Sequence, residues 1–193
     1  MTPPDPRRHP WRADLAALEL KGLVPSRRFV AGALRQVRTG SASLKLAPED
    51  CAEQSSELLH GESFTIYEDA AGWAWGQSSC DGYVGYVRTA VLDAEVTAPS
   101  HRVTALRTFI YPEPGIKRPP RDTLSLTSLV TVTERNSGYA ALAGGGWVYA
   151  GHLAAIDQVE PDYVATARRL IGAPYLWGGR TSLGLDCSAL VQL

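Results

Sequence analysis

GYVRTAVL at residues 85–92 and GWVYAGHL at residues 146–153 agree at glycine, an aromatic, valine and the final leucine, with an offset of 61 residues. Upstream, Gly72-Trp73-Ala74 is echoed by Gly138-Tyr139-Ala140, and FTIYE at 64–68 by VTVTE at 130–134. Self-similarity at this spacing marks two copies of one supersecondary unit. Within each copy, short alternating runs are broken by Gly, Asp and Pro, as β-strands joined by tight turns require. Phe64 and Ile66 share one face, Trp73 and Trp75 another, and Asp81-Gly82 is a hairpin signal. Strands this short, with aromatic-rich turns, suggest a small, strongly bent barrel in each copy.

Outside the repeat the period changes. ADLAALELKG at 13–22 has Asp14 as a candidate N-cap, leucines partly on one face and Gly22 as a stop, which predicts a short helix. PDYVATARRLIG at 161–172 aligns Val164, Ala167 and Ile171 at helical spacing and ends at Gly172, with Pro174 preventing continuation. A glycine-rich loop follows, then a second helix opening at Cys187. The expected organisation is an N-terminal arm with a short helix at 1–34, β units at 35–97 and 98–157, and the opening of a helical domain at 158–193. Some 35 residues cannot bury a core of their own, so that last piece is expected to be incomplete.

Composition narrows the function. With 193 residues, 45% apolar and 20% charged, the chain is an ordinary globular protein, and a formal charge of −1 gives no general pull toward nucleic acid or anionic membrane. No apolar stretch approaches the roughly 18 residues that span a bilayer. The N-terminus has no apolar core of a secretory signal, so the expected location is the cytoplasm. Cys51, Cys80 and Cys187 are widely spaced and odd in number, which suits a reducing compartment; whether Cys51 and Cys80 pair is left open. The four histidines lack metal-ligand spacing, so no metal and no cofactor is expected. Gly144-Gly145-Gly146 reads as a hairpin tip rather than a phosphate loop, and RRHPWR at 7–12 and KRPPR at 117–121 as solvated surface.

Chemistry concentrates in TARRLIGAPYLWGGRTSLGLDCSALVQL at 166–193. A thiol at a helix N-terminus faces unpaired backbone N–H groups and the positive end of the helix dipole, which favour the nucleophilic thiolate. Asp186 suits the N-cap. Gly172, Pro174, Tyr175, Trp177, Gly178, Gly179, Gly184, Asp186, Cys187 and Ser188 follow the opening motif of the NlpC/P60 cysteine peptidases at its usual spacing, and this segment resembles that family. The two β units are similar to bacterial SH3 domains, which commonly precede the peptidase domain. The resemblance covers the chain from about residue 35. It implies a mostly β protein: two tandem SH3-like barrels, then the opening helices of a papain-like α+β peptidase domain.

Several roles follow from the resemblance alone. It implies Cys187 as the nucleophile of a murein-recycling endopeptidase, acting on γ-D-glutamyl–diamino acid bonds in murein-derived peptides that begin with free L-alanine. Asp186 and Ser188 would recognise the peptide's amine, Tyr175 would support the tetrahedral oxyanion, and Trp177 with Gly178-Gly179 would shape the substrate loop. The first SH3 unit would wall off the cleft, Tyr83 touching the amine with Glu49 nearby. The family's histidine and its orienting polar residue lie downstream of the cysteine, so the chain as written is expected to be inactive. The alternative is an SH3-like peptide or cell-wall binding module with a vestigial catalytic tail.

Overall fold

The computed structural model describes residues 3–193. It divides into two compact units, the first made of residues up to Val37, Ala42–Leu58 and Glu62–Val96, the second of Arg38–Ser41, Leu59–Gly61 and Thr97–Leu193. The protein is mostly β.

In the first unit, β1 (Leu15–Ala17) and β2 (Arg28–Val30) form a small parallel pair. β3 (Ala33–Val37), β4 (Ser41–Lys45), β5 (Gln54–Leu59), β6 (Ser63–Ala70), β7 (Trp73–Ser78), β8 (Val84–Arg88) and β9 (Leu92–Asp93) make one bent sheet in the order β5-β4-β8-β7-β6-β3-β9. Side chains alternate across it as a pleat demands. Val37, Leu44, Leu58, Phe64, Ile66, Ala74 and Val87 meet on the inner face. Trp75, next to Ala74, turns the other way and is buried with Leu15 and Val84 beside Val30, Tyr67 and Tyr86. The arm thus covers the aromatic outer face of the barrel.

That cover explains a departure from the sequence reading. Where a short helix is expected around Asp14–Gly22, the chain forms the strand β1 and one 3-10 turn at Leu18–Leu20. A helix of two turns has little stability of its own. The strand buries Leu15, Ala16 and Ala17 completely, the first against Trp75 and the others with Leu20 and Val24. Tertiary burial outweighs local periodicity here. Asp14 caps nothing; its carboxylate accepts from the Arg12 guanidinium at 3.1 and 3.0 Å. Gly22, at φ +86°, still ends the segment.

The second unit repeats the pairing scheme with different residues. Its strands are β10 (His101–Val103), β11 (Arg107–Ile110), β12 (Asp122–Ser125), β13 (Leu129–Val130), β14 (Val132–Asn136), β15 (Tyr139–Leu142), β16 (Trp147–Tyr149) and β17 (Leu153–Ala155). β17 pairs with β10 as β9 pairs with β3, β15 lies between β14 and β16 as β7 lies between β6 and β8, and β11 touches β16 through Tyr111 and Trp147 as β4 touches β8. The motif that opens the sequence reading is, in both copies, strand, 3-10 turn, strand: Thr89–Val91 separates β8 from β9, and Ala150–His152 separates β16 from β17. The core of this half is aliphatic: Val103, Ile110, Leu124, Val130, Leu142 and Val148. Its aromatic rings lie outside that core, Phe109, Tyr111, Tyr139, Tyr149 and His152 following one another edge to face at 5.0–6.2 Å.

The same unit ends in α1 (Tyr163–Arg169), the hairpin β18 (Arg180–Thr181) and β19 (Gly184–Leu185), and α2 (Cys187–Gln192). Asp162 caps α1, its carboxylate accepting from Ala165 N–H at 2.8 Å. Of the expected apolar face of α1, Val164 and Ile171 are exposed; burial falls instead to Leu170, which packs with Leu185, Ala189 and, from the β half, Leu106. Arg169 Nη2 to Thr104 O and Ser182 Oγ to Leu106 O, at 3.0 and 3.3 Å, tie the segment to that half.

Candidate active site

The loop leading to Cys187 is shaped by three glycines. Gly178 has φ +70°, a region that side chains disfavour. A Cβ on Gly179 would lie 2.5 Å from Gly184 O, and one on Gly184 would lie 2.6 Å from Leu176 Cβ, so both positions need the bare backbone. The closed approach they allow is stitched by backbone bonds: Gly179 N–H to Leu176 O at 2.9 Å, Leu176 N–H to Leu185 O at 3.2 Å, Leu185 N–H to Pro174 O at 3.2 Å and Asp186 N–H to Gly179 O at 3.1 Å. Tyr175 is thereby set beside Leu185, two residues before the cysteine.

Asp186 is the N-cap of α2, in extended conformation, and its carboxylate organises the turn. Oδ1 accepts from Ala189 N–H at 2.8 Å and from Ser188 Oγ–H at 2.7 Å; Oδ2 accepts from Gly178 N–H at 3.0 Å. Partial burial alone would raise the carboxyl's pKa, but these hydrogen bonds outweigh it and hold the group below the usual carboxylate range. The capping reading and the binding reading of Asp186 and Ser188 therefore concern one bonded pair.

Cys187 is the first residue of α2 and its thiol is exposed. The Tyr175 phenol is pushed above its ordinary pKa by slight desolvation, by the negative charge of Cys187 and Asp186, and by a hydrogen bond with the cysteine itself. Tyr175 and Trp177 are large aromatic side chains with 65% and 61% exposure, so their rings stand in solvent rather than filling a core. The structure thus brings Tyr175, Asp186, Cys187 and Ser188 together on one turn.

Tyr83 and Glu49 belong to the first unit. Tyr83 is half-buried, leans on the barrel core and donates its N–H to Asp81 Oδ1 at 3.0 Å. Glu49 lies exposed in the β4–β5 loop, within 3.9 Å of the Cys51 thiol. No disulfide joins Cys51 to Cys80 among the described residues; all three cysteines are thiols. The histidines are engaged in bonds of their own: His9 with Asp5 O, His60 with Arg38 O, His101 with Ser100 and Arg135, and His152 with Thr108.

Sequence reasoning missed the arginines of RRHPWR, which are not simply solvated. Arg12 lies 4.3 Å over the Trp75 ring, donates to the Tyr86 hydroxyl at 2.7 Å and pairs with Glu68 at 2.7 Å. Arg8 lies over Tyr83. Nothing local announces this, because the rings they cover come from the β7–β8 hairpin.

The profile of the bacterial dipeptidyl-peptidase SH3 domain matches residues 46–92. A protein named dipeptidyl-peptidase 6 from Lysinibacillus sphaericus is 24% identical over 176 residues, covering 79% of this chain and 65% of its own length. The γ-D-glutamyl-L-lysine dipeptidyl-peptidase of Bacillus subtilis (strain 168) is 23% identical over 154 residues, covering 70% of this chain and 50% of its own. The chain therefore spans between half and two-thirds of these relatives. The crystal structure of an NlpC/P60 family protein from Bacillus cereus ATCC 10987 shares the fold with a TM-score of 0.66 at 16% identity, covering 81% of this chain and 70% of that one. The glycine-shaped turn that presents Cys187 on a capped helix, behind an SH3 domain of the dipeptidyl-peptidase type, makes the chain similar to NlpC/P60 family proteins in fold and in this motif.

Proposed function

We propose that the chain carries the nucleophile of a cysteine endopeptidase that hydrolyses the γ-D-glutamyl–diamino acid bond in murein-derived peptides with a free N-terminal L-alanine. The observation that carries this reading is the exposed Cys187 thiol at the first position of a helix capped by Asp186, with Tyr175 set beside Leu185 on the adjoining loop. The names of both relatives support a peptidase, and that of the Bacillus subtilis relative supports a γ-D-glutamyl bond to a diamino acid.

In this mechanism the Cys187 sulfur, once deprotonated, attacks the γ-carbonyl carbon. The carbonyl oxygen takes the negative charge, and the Tyr175 O–H is placed to donate to it. Collapse breaks the C–N bond, the amine leaves with a proton from the general acid, and water hydrolyses the thioester to release the acid and restore the thiol. The resemblance assigns the base to a histidine C-terminal to the cysteine motif. Asp186 is held in its charged form by the hydrogen bonds it accepts, and that negative charge is what the ammonium of the peptide would meet. Ser188 donates its proton to Asp186, so its oxygen is oriented to accept from the same ammonium. A second SH3-like barrel at 98–157 and a cytoplasmic location belong to this proposal.

The test is cleavage of L-Ala-γ-D-Glu-diaminopimelate by the full-length protein, followed by mass spectrometry. Cleavage after glutamate that disappears in Cys187→Ala, and that falls when the alanine is acetylated, is the expected result. Undiminished cleavage in Cys187→Ala would remove the cysteine from the mechanism, and equal rates on both peptides would remove the amine contact.

A further inference from the structure

Residues 4–12 fold back on themselves rather than trail. Trp11 Nε1 donates to Pro4 O at 2.8 Å, the N–H groups of Arg8 and His9 donate to Asp5 O at 3.1 and 3.0 Å, and the Arg7 guanidinium grips the Asp5 carboxylate at 2.7 Å. The resulting strap is fastened to the β7–β8 hairpin through its backbone. Val84 N–H donates to Arg7 O at 2.9 Å, and Gln77 Nε2 donates to Arg8 O at 2.8 Å and Gly82 O at 2.9 Å. This fastening delivers the Arg8 guanidinium over the Tyr83 ring, 5.6 Å from its centroid. Gly82, at φ +74°, adds no side chain under it; a Cβ there would come within 3.4 Å of Arg8 Nη2.

Three arginines of this unit lie over aromatic rings, and only one of them is held by the ring alone. Arg12 over Trp75 is also bonded to Glu68 and Asp14, and Arg88 over Trp73 is also bonded to Asp50. Arg8 is exposed and makes no ion pair among the described residues. Its neighbours are locked by carboxylates while it rests on a single cation–π contact, the weakest kind of anchorage at an exposed site. Tyr83 beneath it is fixed: its N–H is bonded to Asp81, its carbonyl accepts from Ser78 N–H at 2.9 Å, and its ring leans on the core. The geometry is that of a rigid aromatic face that accepts a cation, covered by a cation that can leave.

We propose that Arg8 is a built-in occupant of the Tyr83 face, a strap-borne cation that the ammonium of a peptide with a free N-terminus displaces. This rests on the reading of Tyr83 as an amine contact and adds what holds that face until the peptide arrives. The strap's backbone stays docked; only the Arg8 side chain swings away. A peptide without an N-terminal charge has no cation to place on the ring and leaves Arg8 where it is, so the strap lowers the affinity of the free-amine peptide alone.

The experiment is calorimetric titration of the 193-residue chain carrying Cys187→Ala with L-Ala-γ-D-Glu-diaminopimelate and with its N-acetylated form, in four backgrounds: parent, Arg8→Ala, Tyr83→Leu and both. Arg8→Ala is expected to tighten binding of the free-amine peptide about two- to fivefold, the worth of one exposed cation–π contact. The acetylated peptide is expected to gain nothing, and the gain is expected to vanish in the Tyr83→Leu background. Arg8→Lys, which keeps a cation over the ring, should bind as the parent does. Equal affinities with and without Arg8, alongside weaker binding in Tyr83→Leu, would overturn the strap while leaving the amine contact. Binding that ignores Tyr83→Leu, or is absent in every background, would overturn the amine contact and the strap with it.

Discussion

Asp186 Oδ2 accepts from Gly178 N–H at 3.0 Å, so the cap of the cysteine-bearing helix and the turn of the glycine loop share one carboxylate. Loop and helix stand or fall together, because the same group satisfies donors eight residues behind it and three residues ahead.

Asp186→Ala removes an N-cap and leaves the Gly178 amide without its acceptor, a loss of about 1–2 kcal/mol in local stability. Hydrogen exchange at the Gly178 and Ala189 amides should accelerate together. Asp186→Asn, which keeps an oxygen, should fall between. Because the folded carboxyl titrates below its unfolded value of about 3.9, the protection is present above that pH and lost as pH falls through the lower folded value. The Asn variant should show no such acid step.

Tyr175 offers a direct test of its hydrogen bond to Cys187. Nearby negative charge disfavours the phenolate, so the folded pKa stands above about 10. Cys187→Ala removes both the charge and the bond and should bring the Tyr175 titration down, as followed by ring resonances in NMR. An unmoved titration would show that phenol and sulfur do not meet.

The surroundings of His101 favour its neutral form in the folded protein. Arg135 Nη2 has only hydrogens to offer and lies 3.0 Å from Nε2, so Nε2 accepts and Nδ1–H faces Ser100 Oγ at 2.9 Å. Burial first and Arg135 second hold its pKa below 6.5. The unfolded chain therefore takes up the proton more readily, and stability should decline as pH falls below about 6.5 toward the folded value. Arg135→Ala should shift the His101 titration upward without restoring it fully, since burial remains.

Arg12→Ala should destabilise the first unit by about 2 kcal/mol in urea, through loss of the Trp75 stacking and of charge-assisted bonds to Glu68 and the Tyr86 hydroxyl. Arg12→Lys should recover only part, because an ammonium cannot stack on the indole and reach both partners at once.

The turn around Cys187 was legible because its chemistry is local. Glycines at 178, 179 and 184 encode a close backbone approach, and aspartate before cysteine encodes a cap, all within ten residues. The strand, 3-10 turn and strand around GYVRTAVL and GWVYAGHL recur in both halves, and the shared Gly, aromatic, Val and Leu mark them in the sequence. The arm was not legible. LAA reads as helix by propensity and folds as strand because Trp75 and Val84 lie waiting on a distant sheet.

Local spacing was enough to mark the short strands and a thiol presented on a capped helix, because periodicity, glycine and aspartate act on their own neighbours through backbone geometry. Only the tertiary structure decided that Arg12 is stacked on Trp75 and that Arg8 covers Tyr83. Those contacts depend on which surfaces the folded backbone brings within a few ångströms, and residues tens of positions apart carry no local mark of that meeting.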